Sequence, residues 1–186
     1  LIVSATTPVS RALQKATTTI PIVIVNIGDP VGSGLVKSLA RPGGNITGLS
    51  NLVGDTNNKR LEMLLGMVPR LSRVAYLFNP ANPQNVVGFK DVQATGQKRG
   101  VTVLPVEART PQEIDNAFSA AQRQNAGALM VGLDGFLQQQ RSQIVELAAK
   151  YRLPSMATDP TYAEAGFLIS YGTNLAAHFR QAAAYV

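Results

Sequence analysis

Apolar positions along the chain recur in two rhythms, short β-branched runs and longer segments of helical period, and the two alternate. Leu1 to Ser4 and Ile22 to Ile27 read as strands, the second broken by Asn26 alone and short enough to lie buried in a parallel sheet. Pro8 to Ala16 predicts the helix between them. Gly28 lets the chain turn at the carboxyl end of the second strand. Asp29 and Pro30 then suit a cap and first turn, predicting a helix from Val31 to Ala40. Arg41-Pro42-Gly43-Gly44 ends it, with Gly43 as the left-handed residue, and Asn45 to Leu49 returns as a strand. A helix from Thr56 to Met67 follows.

Val68-Pro69-Arg70-Leu71-Ser72 interrupts the pattern and is the predicted joint between two lobes. Beyond it, strands are expected at Arg73 to Phe78, Thr102 to Val106, Ala128 to Gly132, Ser155 to Ala157 and Phe167 to Ser170. Helices are expected at Gln84 to Arg99, Pro111 to Gln124, Phe136 to Tyr151 and Asp159 to Ala165, with a last amphipathic one from Asn174 to Val186. Strand and helix in alternation predict an α/β fold of two Rossmann-like, parallel-sheet lobes. The expected division is a partial first lobe over 1–68, a second lobe over 69–172 and a final helix over 173–186. Because Leu1-Ile2-Val3 already reads as the end of a strand, the first lobe is expected to lack its opening strands. The apolar edges and faces this exposes point to self-association of the fragment.

A chain of 186 residues with 45% apolar content can bury a core as one domain or two small lobes. The absence of Cys removes disulfides, thiolate metal sites and thiol nucleophiles, and with them the racemase type of two-lobed enzyme that relies on paired thiols. The net charge of +6 comes from Lys and Arg scattered through the chain, without a basic run or an aromatic ladder. It predicts a mildly positive surface and no nucleic-acid partner. No stretch approaches the length of a membrane span.

Candidate chemistry gathers where strands end. Gly32-Ser33-Gly34 is not a phosphate loop: the third glycine of a dinucleotide fingerprint would fall at Lys37, and no Walker spacing can be made. Thr6 and Thr7, ahead of Pro8, offer hydroxyls beside the free amides of a helix start; they suit a carboxylate or serve as ordinary caps. Asp29 either caps its helix or faces a ligand. Asn79-Pro80-Ala81-Asn82-Pro83-Gln84-Asn85 is denser in polar groups than a capped turn requires, which favours Asn79 and Asn85, then Asn82, as solute contacts. Asp134 suits a ligand ammonium group or a helix cap, and Asp159 and Tyr171 hold equivalent loop positions. His178, the single histidine, falls within the last helix, so no catalytic residue, metal site or cofactor is expected. Asn45-Ile46-Thr47 matches a glycosylation sequon by chance.

The wording of residues 20–51, with Lys59-Arg60-Leu61-Glu62, Val68-Pro69, RVAYLFNP from Arg73, IVELAAKYRLP from Ile144 and SYGTN from Ser170, resembles substrate-binding proteins of bacterial ABC transporters of the tryptophan/tyrosine transport type. The motifs occur in family order over nearly the whole chain. The resemblance implies the Venus-flytrap architecture of type I periplasmic binding proteins, truncated here at both ends, with the last helix beginning the crossing back to the first lobe. It implies a small-molecule solute, an amino acid or an aromatic one, held in the inter-lobe cleft without turnover, and it moves Thr6 and Thr7 toward ligand contact. It further implies an inner-membrane permease as partner, and a periplasmic or lipid-anchored location whose export signal lies outside this sequence. Two alternatives stay open: the ligand-sensing core of a transcription regulator, which needs a DNA-binding head, and an α/β enzyme, which needs a phosphate loop and acid/base residues.

Overall fold

The computed structural model describes residues 1–50, 53–172 and 175–185. The chain divides into two compact units, Leu1–Val53 with Thr173–Val186, and Gly54–Gly172. Each is built on its own parallel sheet.

In the first unit, β1 (Ile2–Ser4), β2 (Ile22–Ile27) and β3 (Ile46–Ser50) pair in that order, all parallel. The run Ile22–Ile27 forms the central strand because both its faces are covered. Ile22 and Ile24 pack with Ile46 and with Leu13 of α1 (Thr7–Ala16), while Val23 and Val25 pack with Ala182 of α8 (Leu175–Ala182). The register shifts between Val25 and Ile27, and this bulge returns Ile27 to the face of Ile22 and Ile24, which strict alternation would deny it.

The helix expected from Val31 to Ala40 does not form. Only one turn follows Asp29, with Ser33 N donating to Asp29 O at 3.0 Å. It is closed by a Schellman pair, Leu35 N to Pro30 O at 2.9 Å and Gly34 N to Val31 O at 2.9 Å, with Gly34 at φ 70°. Gly32-Ser33-Gly34 places three weak helix formers in the first turn, and the left-handed glycine stops propagation before nucleation is repaid. Gly43 does adopt positive φ, at 76°, but in a loop and not at a helix end.

In the second unit five parallel strands run in the order β5, β4, β6, β7, β8, from Thr102–Glu107, Arg73–Phe78, Ala128–Val131, Ser155–Ala157 and Ile169–Ser170. Strand β4 alternates strictly. Val74, Tyr76 and Phe78 face a cluster with Leu61 and Leu64 of α2 (Val53–Met67) and Val92 of α3 (Pro83–Lys98). Ala75 and Leu77 face the opposite cluster, with Ile114 and Phe118 of α4 (Pro111–Arg123), Leu137 of α5 (Gly135–Gln139), Ile144 of α6 (Arg141–Lys150) and Tyr162 of α7 (Pro160–Glu164).

Three boundaries differ from the sequence reading. The joint falls at Val53/Gly54 and not between Val68 and Ser72, because the apolar stripe of α2 is buried on the second sheet and Val68-Pro69 only turns that helix into β4. The single helix expected from Phe136 to Tyr151 is two, broken at Gln140, whose ψ of 16° departs from helical geometry. The expected strand from Phe167 is confined to Ile169–Ser170, since Phe167 turns inward to pack on Tyr162 with ring centroids 4.9 Å apart.

Candidate functional site

The strand order of the second unit fixes where a ligand can sit. From β4 the chain crosses through α3 to β5 on one side, then through α4 on the opposite face to β6 on the other side. Connections leaving β4 and β6 therefore diverge, and in such doubly wound sheets the crevice opens at the carboxyl ends of these two strands. Asn79 follows β4 directly, and Asp134 follows β6 by three residues.

Four of the expected residues meet there. Asp134 caps α5, its Oδ1 accepting from Phe136 N at 2.9 Å and Leu137 N at 3.2 Å. Its Oδ2 accepts from Asn82 Nδ2 at 2.9 Å, and Asn79 Nδ2 approaches both oxygens at 3.4 Å. The amides cannot turn over. Asn79 Oδ1 is held by Ala81 N at 3.0 Å and Asn82 Oδ1 by Gln84 N at 3.1 Å, so both NH₂ groups are committed to point at the carboxylate. Asn85 is 3% exposed and spans the two strand ends, accepting from Asn79 N at 3.2 Å and donating to Leu133 O at 2.7 Å. Gly132 makes room for it: a Cβ there would lie 2.9 Å from Asn85 Oδ1.

The cluster is thus a carboxylate preorganised by fixed donors, with acceptor capacity left on Oδ2, where Asn82 takes one lone pair at 2.9 Å and the contact of Asn79 at 3.4 Å engages the other only weakly. A cationic group could bind there by a charge-assisted hydrogen bond.

Asp159 stands at the end of β7, the strand next to β6. It is buried and caps α7, accepting from Thr161 N at 2.9 Å and from Thr161 Oγ1 at 2.5 Å. The same hydroxyl receives Gln138 Nε2 at 2.9 Å and Arg141 Nη1 at 3.0 Å, joining α5, α6 and α7. Tyr162, on α7, donates its hydroxyl to Leu137 O at 2.8 Å. Burial pushes this phenol well above its ordinary range; Arg141 works against the shift, and Asp159 and Asp134 add to it. Tyr171, after β8, is exposed and is tied down by its amide, which donates to Ala157 O at 3.0 Å.

Thr6, Thr7 and Asp29 belong to the first unit. Thr6 is the N-cap residue of α1 but makes no side-chain cap bond, and Thr7 opens the helix. Asp29 is exposed and its carboxylate is engaged by Gly32 N at 2.7 Å, so it caps a turn and not the helix expected of it. His178 lies in α8, also in the first unit. Among the described residues no cluster of His, Asp or Glu could hold a metal ion.

The feature that sequence reasoning did not offer as a site residue is Arg60, which entered only within the family motif Lys59-Arg60-Leu61-Glu62. Its side chain is fully buried on α2, with Nη1 donating to Val131 O at 3.2 Å and to Thr158 Oγ1, and Nη2 to Asn57 Oδ1. Among the described residues it pairs with no carboxylate, and its Nε and the neighbouring Asn57 Nδ2 are buried donors without an acceptor. Desolvation draws the guanidinium below its ordinary range, opposed by Tyr76, whose phenol burial pushes up. A signal was present: residues 57, 60, 61 and 64 form the buried stripe of α2, and two of its four members are polar.

Comparison with known proteins agrees with this architecture. The family model described as "ABC transporter substrate binding protein" matches residues 1–186. A tyrosine-binding protein of Clostridioides difficile (strain R20291) is 26% identical over 172 residues, 92% of this chain and 49% of that protein. The chain therefore spans about half the length of the curated relative it matches. Among solved structures, a conserved domain protein from Vibrio cholerae superposes with a TM-score of 0.87 at 26% identity, over 99% of this chain and 62% of that one. An ABC domain in complex with L-Trp from Streptococcus pneumonia shares the fold with a TM-score of 0.82 at 24% identity, over 98% of this chain and 62% of that one. Two parallel α/β units and a family match over every residue lead to one conclusion: the chain belongs to the ABC transporter substrate binding protein family.

Proposed function

We propose that the protein carrying this chain is the solute-binding component of an ABC importer, that its solute is an aromatic amino acid, and that the ammonium group of that solute is received by Asp134. The observation that carries the reading is the cluster at the ends of β4 and β6, where Asn79, Asn82 and two backbone amides fix a carboxylate with Oδ2 still able to accept. An α-ammonium group is the commonest small cation that such an acceptor suits. The aromatic side chain is supported by the relative that binds tyrosine and the similar structure that holds L-Trp.

ABC substrate-binding proteins work outside the cytoplasm as a class. For this protein we place the site in the periplasm or on a lipid anchor, with an inner-membrane permease as receiver and the solute released unchanged. Thr6, Thr7 and Asp29 of the first unit stay separate candidates for ligand contact. The test is a thermal-shift screen of the full-length protein against amino acids, purines, sugars and small carboxylates, followed by calorimetry. Stabilisation by tyrosine or tryptophan is expected. A shift confined to a solute without an ammonium group, or product formation, would overturn the reading.

A further inference from the structure

A buried guanidinium without a carboxylate partner is an expensive element of a core, and replacing buried ionic groups by apolar residues is often neutral or stabilising. Among the described residues Arg60 has no carboxylate partner, and it combines that cost with two buried donors that have no acceptor there, its own Nε and Asn57 Nδ2. What it touches is informative. Nη1 reaches Val131 O, the last carbonyl of β6 and three residues before Asp134, and Thr158 Oγ1, the residue before Asp159. A single nitrogen thus ties together the exits of two adjacent strands, each leading into a loop that bears a candidate ligand carboxylate. The far side of the tie is α2, the helix that begins where the chain passes from the first unit to the second.

We propose that Arg60 is a positioning residue for solute binding: through Val131 O and Thr158 Oγ1 it holds the loops after β6 and β7 in the arrangement that presents Asp134 and Asp159, at no gain to the stability of the fold. Val131 ends β6 and Thr158 follows β7 by one residue, and the paired register of β6 with β7 covers only Leu129 with Ser155 and Met130 with Met156. The ladder stops short of both residues, so the guanidinium bridges the strands where backbone pairing has ended. Lys cannot replace it, since one ammonium on a flexible stem does not reproduce a planar fork committed to Val131, Thr158 and Asn57 together.

The inference rests on the proposed amino-acid binding, and the experiment separates the two. In the full-length protein, Arg60→Met, Arg60→Lys, Thr158→Val and the Arg60→Met/Thr158→Val double variant are compared by calorimetry with tyrosine and tryptophan and by thermal unfolding without ligand. Arg60→Met is expected to weaken binding about tenfold, as loss of a hydrogen bond to a charged group implies; the cost of stranding Val131 O and Asn57 Oδ1 opposes the gain from removing a buried charge, so its ligand-free midpoint should stay near that of wild type. Thr158→Val should weaken binding less, Arg60→Lys should not restore it, and the double variant should be no worse than Arg60→Met because both act through one contact. Affinity unchanged in both Arg60→Met and Thr158→Val, or lost only in step with the melting midpoint, overturns the proposal. Should Arg60→Met fail to fold, Thr158→Val carries the same two outcomes. If wild type binds neither amino acid, the functional reading has failed by itself. The positioning role is then read from hydrogen exchange of the Gly132, Leu133 and Asp159 amides, expected to quicken in Arg60→Met or, failing that, in Thr158→Val, and refuted if it does not.

Discussion

Replacing Asp134 by Asn or by Ala separates its two roles. As the N-cap of α5 it satisfies Phe136 N and Leu137 N through Oδ1; as the centre of the polar cluster it receives Asn82 and Asn79 through Oδ2. Asp134→Asn keeps an oxygen for the cap, but its NH₂ then meets the NH₂ groups of Asn82 and Asn79. Neither can flip, because Gln84 N and Ala81 N already hold their oxygens. One donor-to-donor contact in this half-buried cluster should cost about 1 to 3 kcal/mol. Asp134→Ala makes no such clash but leaves both amides without their acceptor and loses the cap, which adds about 1 kcal/mol. Chemical denaturation of the full-length variants should rank wild type above Asn above Ala. Calorimetry adds the functional test: both variants lack the charge proposed to receive the ammonium group, so both should lose roughly ten- to a hundredfold in affinity, about 1.5 to 3 kcal/mol. Refutation would be an Asn variant that binds as wild type does, or one as stable as wild type, which would show the amides free to reorient.

Three further outcomes test the packing around the site. Gly132→Ala places a Cβ 2.9 Å from the oxygen of Asn85, which is anchored at both ends of its amide and cannot retreat, so a loss of about 1 to 3 kcal/mol in thermal unfolding is expected. Tyr162→Phe keeps the ring against Phe167 but strands the carbonyl of Leu137, and should cost about 1 kcal/mol in denaturant unfolding. The phenols of Tyr76 and Tyr162 are raised above the ordinary value of 10.0 by burial, so the folded protein holds these protons more tightly than the unfolded chain does. Stability from both is complete below about pH 10 and falls as pH rises toward the folded values. Phenolate absorbance should therefore show these two groups ionising only together with unfolding.

How much of this the chain announces depends on whether a residue's role is local. Strand positions in the second sheet were legible because Val74 to Phe78 and Ala128 to Val131 are apolar runs bounded by turns, and burial on both faces needs nothing more. The helix at Val31 was misread because Asp29-Pro30 is a sound start signal. What followed it was decided by Gly34, whose left-handed conformation closes a Schellman pair after a single turn. The lobe boundary lies away from the expected joint for a different reason. Val68-Pro69 is a true break in secondary structure, but which sheet α2 covers is settled by Leu61 and Leu64 meeting Val74 and Tyr76, a contact no local pattern encodes.

The candidate site divides along the same line. Asn79, Asn82, Asn85 and Asp134 could be singled out because each sits in a strand-exit loop, and strand order then brings those loops together between β4 and β6. Sequence could not say that the two asparagines aim their amides at one carboxylate, because that direction is set by the backbone donors of Ala81 and Gln84. Arg60 is the sharper case. In sequence it is one of 17 basic residues, read as part of a diffuse positive surface. In the fold its charge is removed from water and used on Val131 and Thr158. Polar residues at Asn57 and Arg60, inside the stripe that Leu61 and Leu64 mark as buried, break local consistency. The proposed positioning role accounts for that break, since an apolar pair would satisfy the core at lower cost.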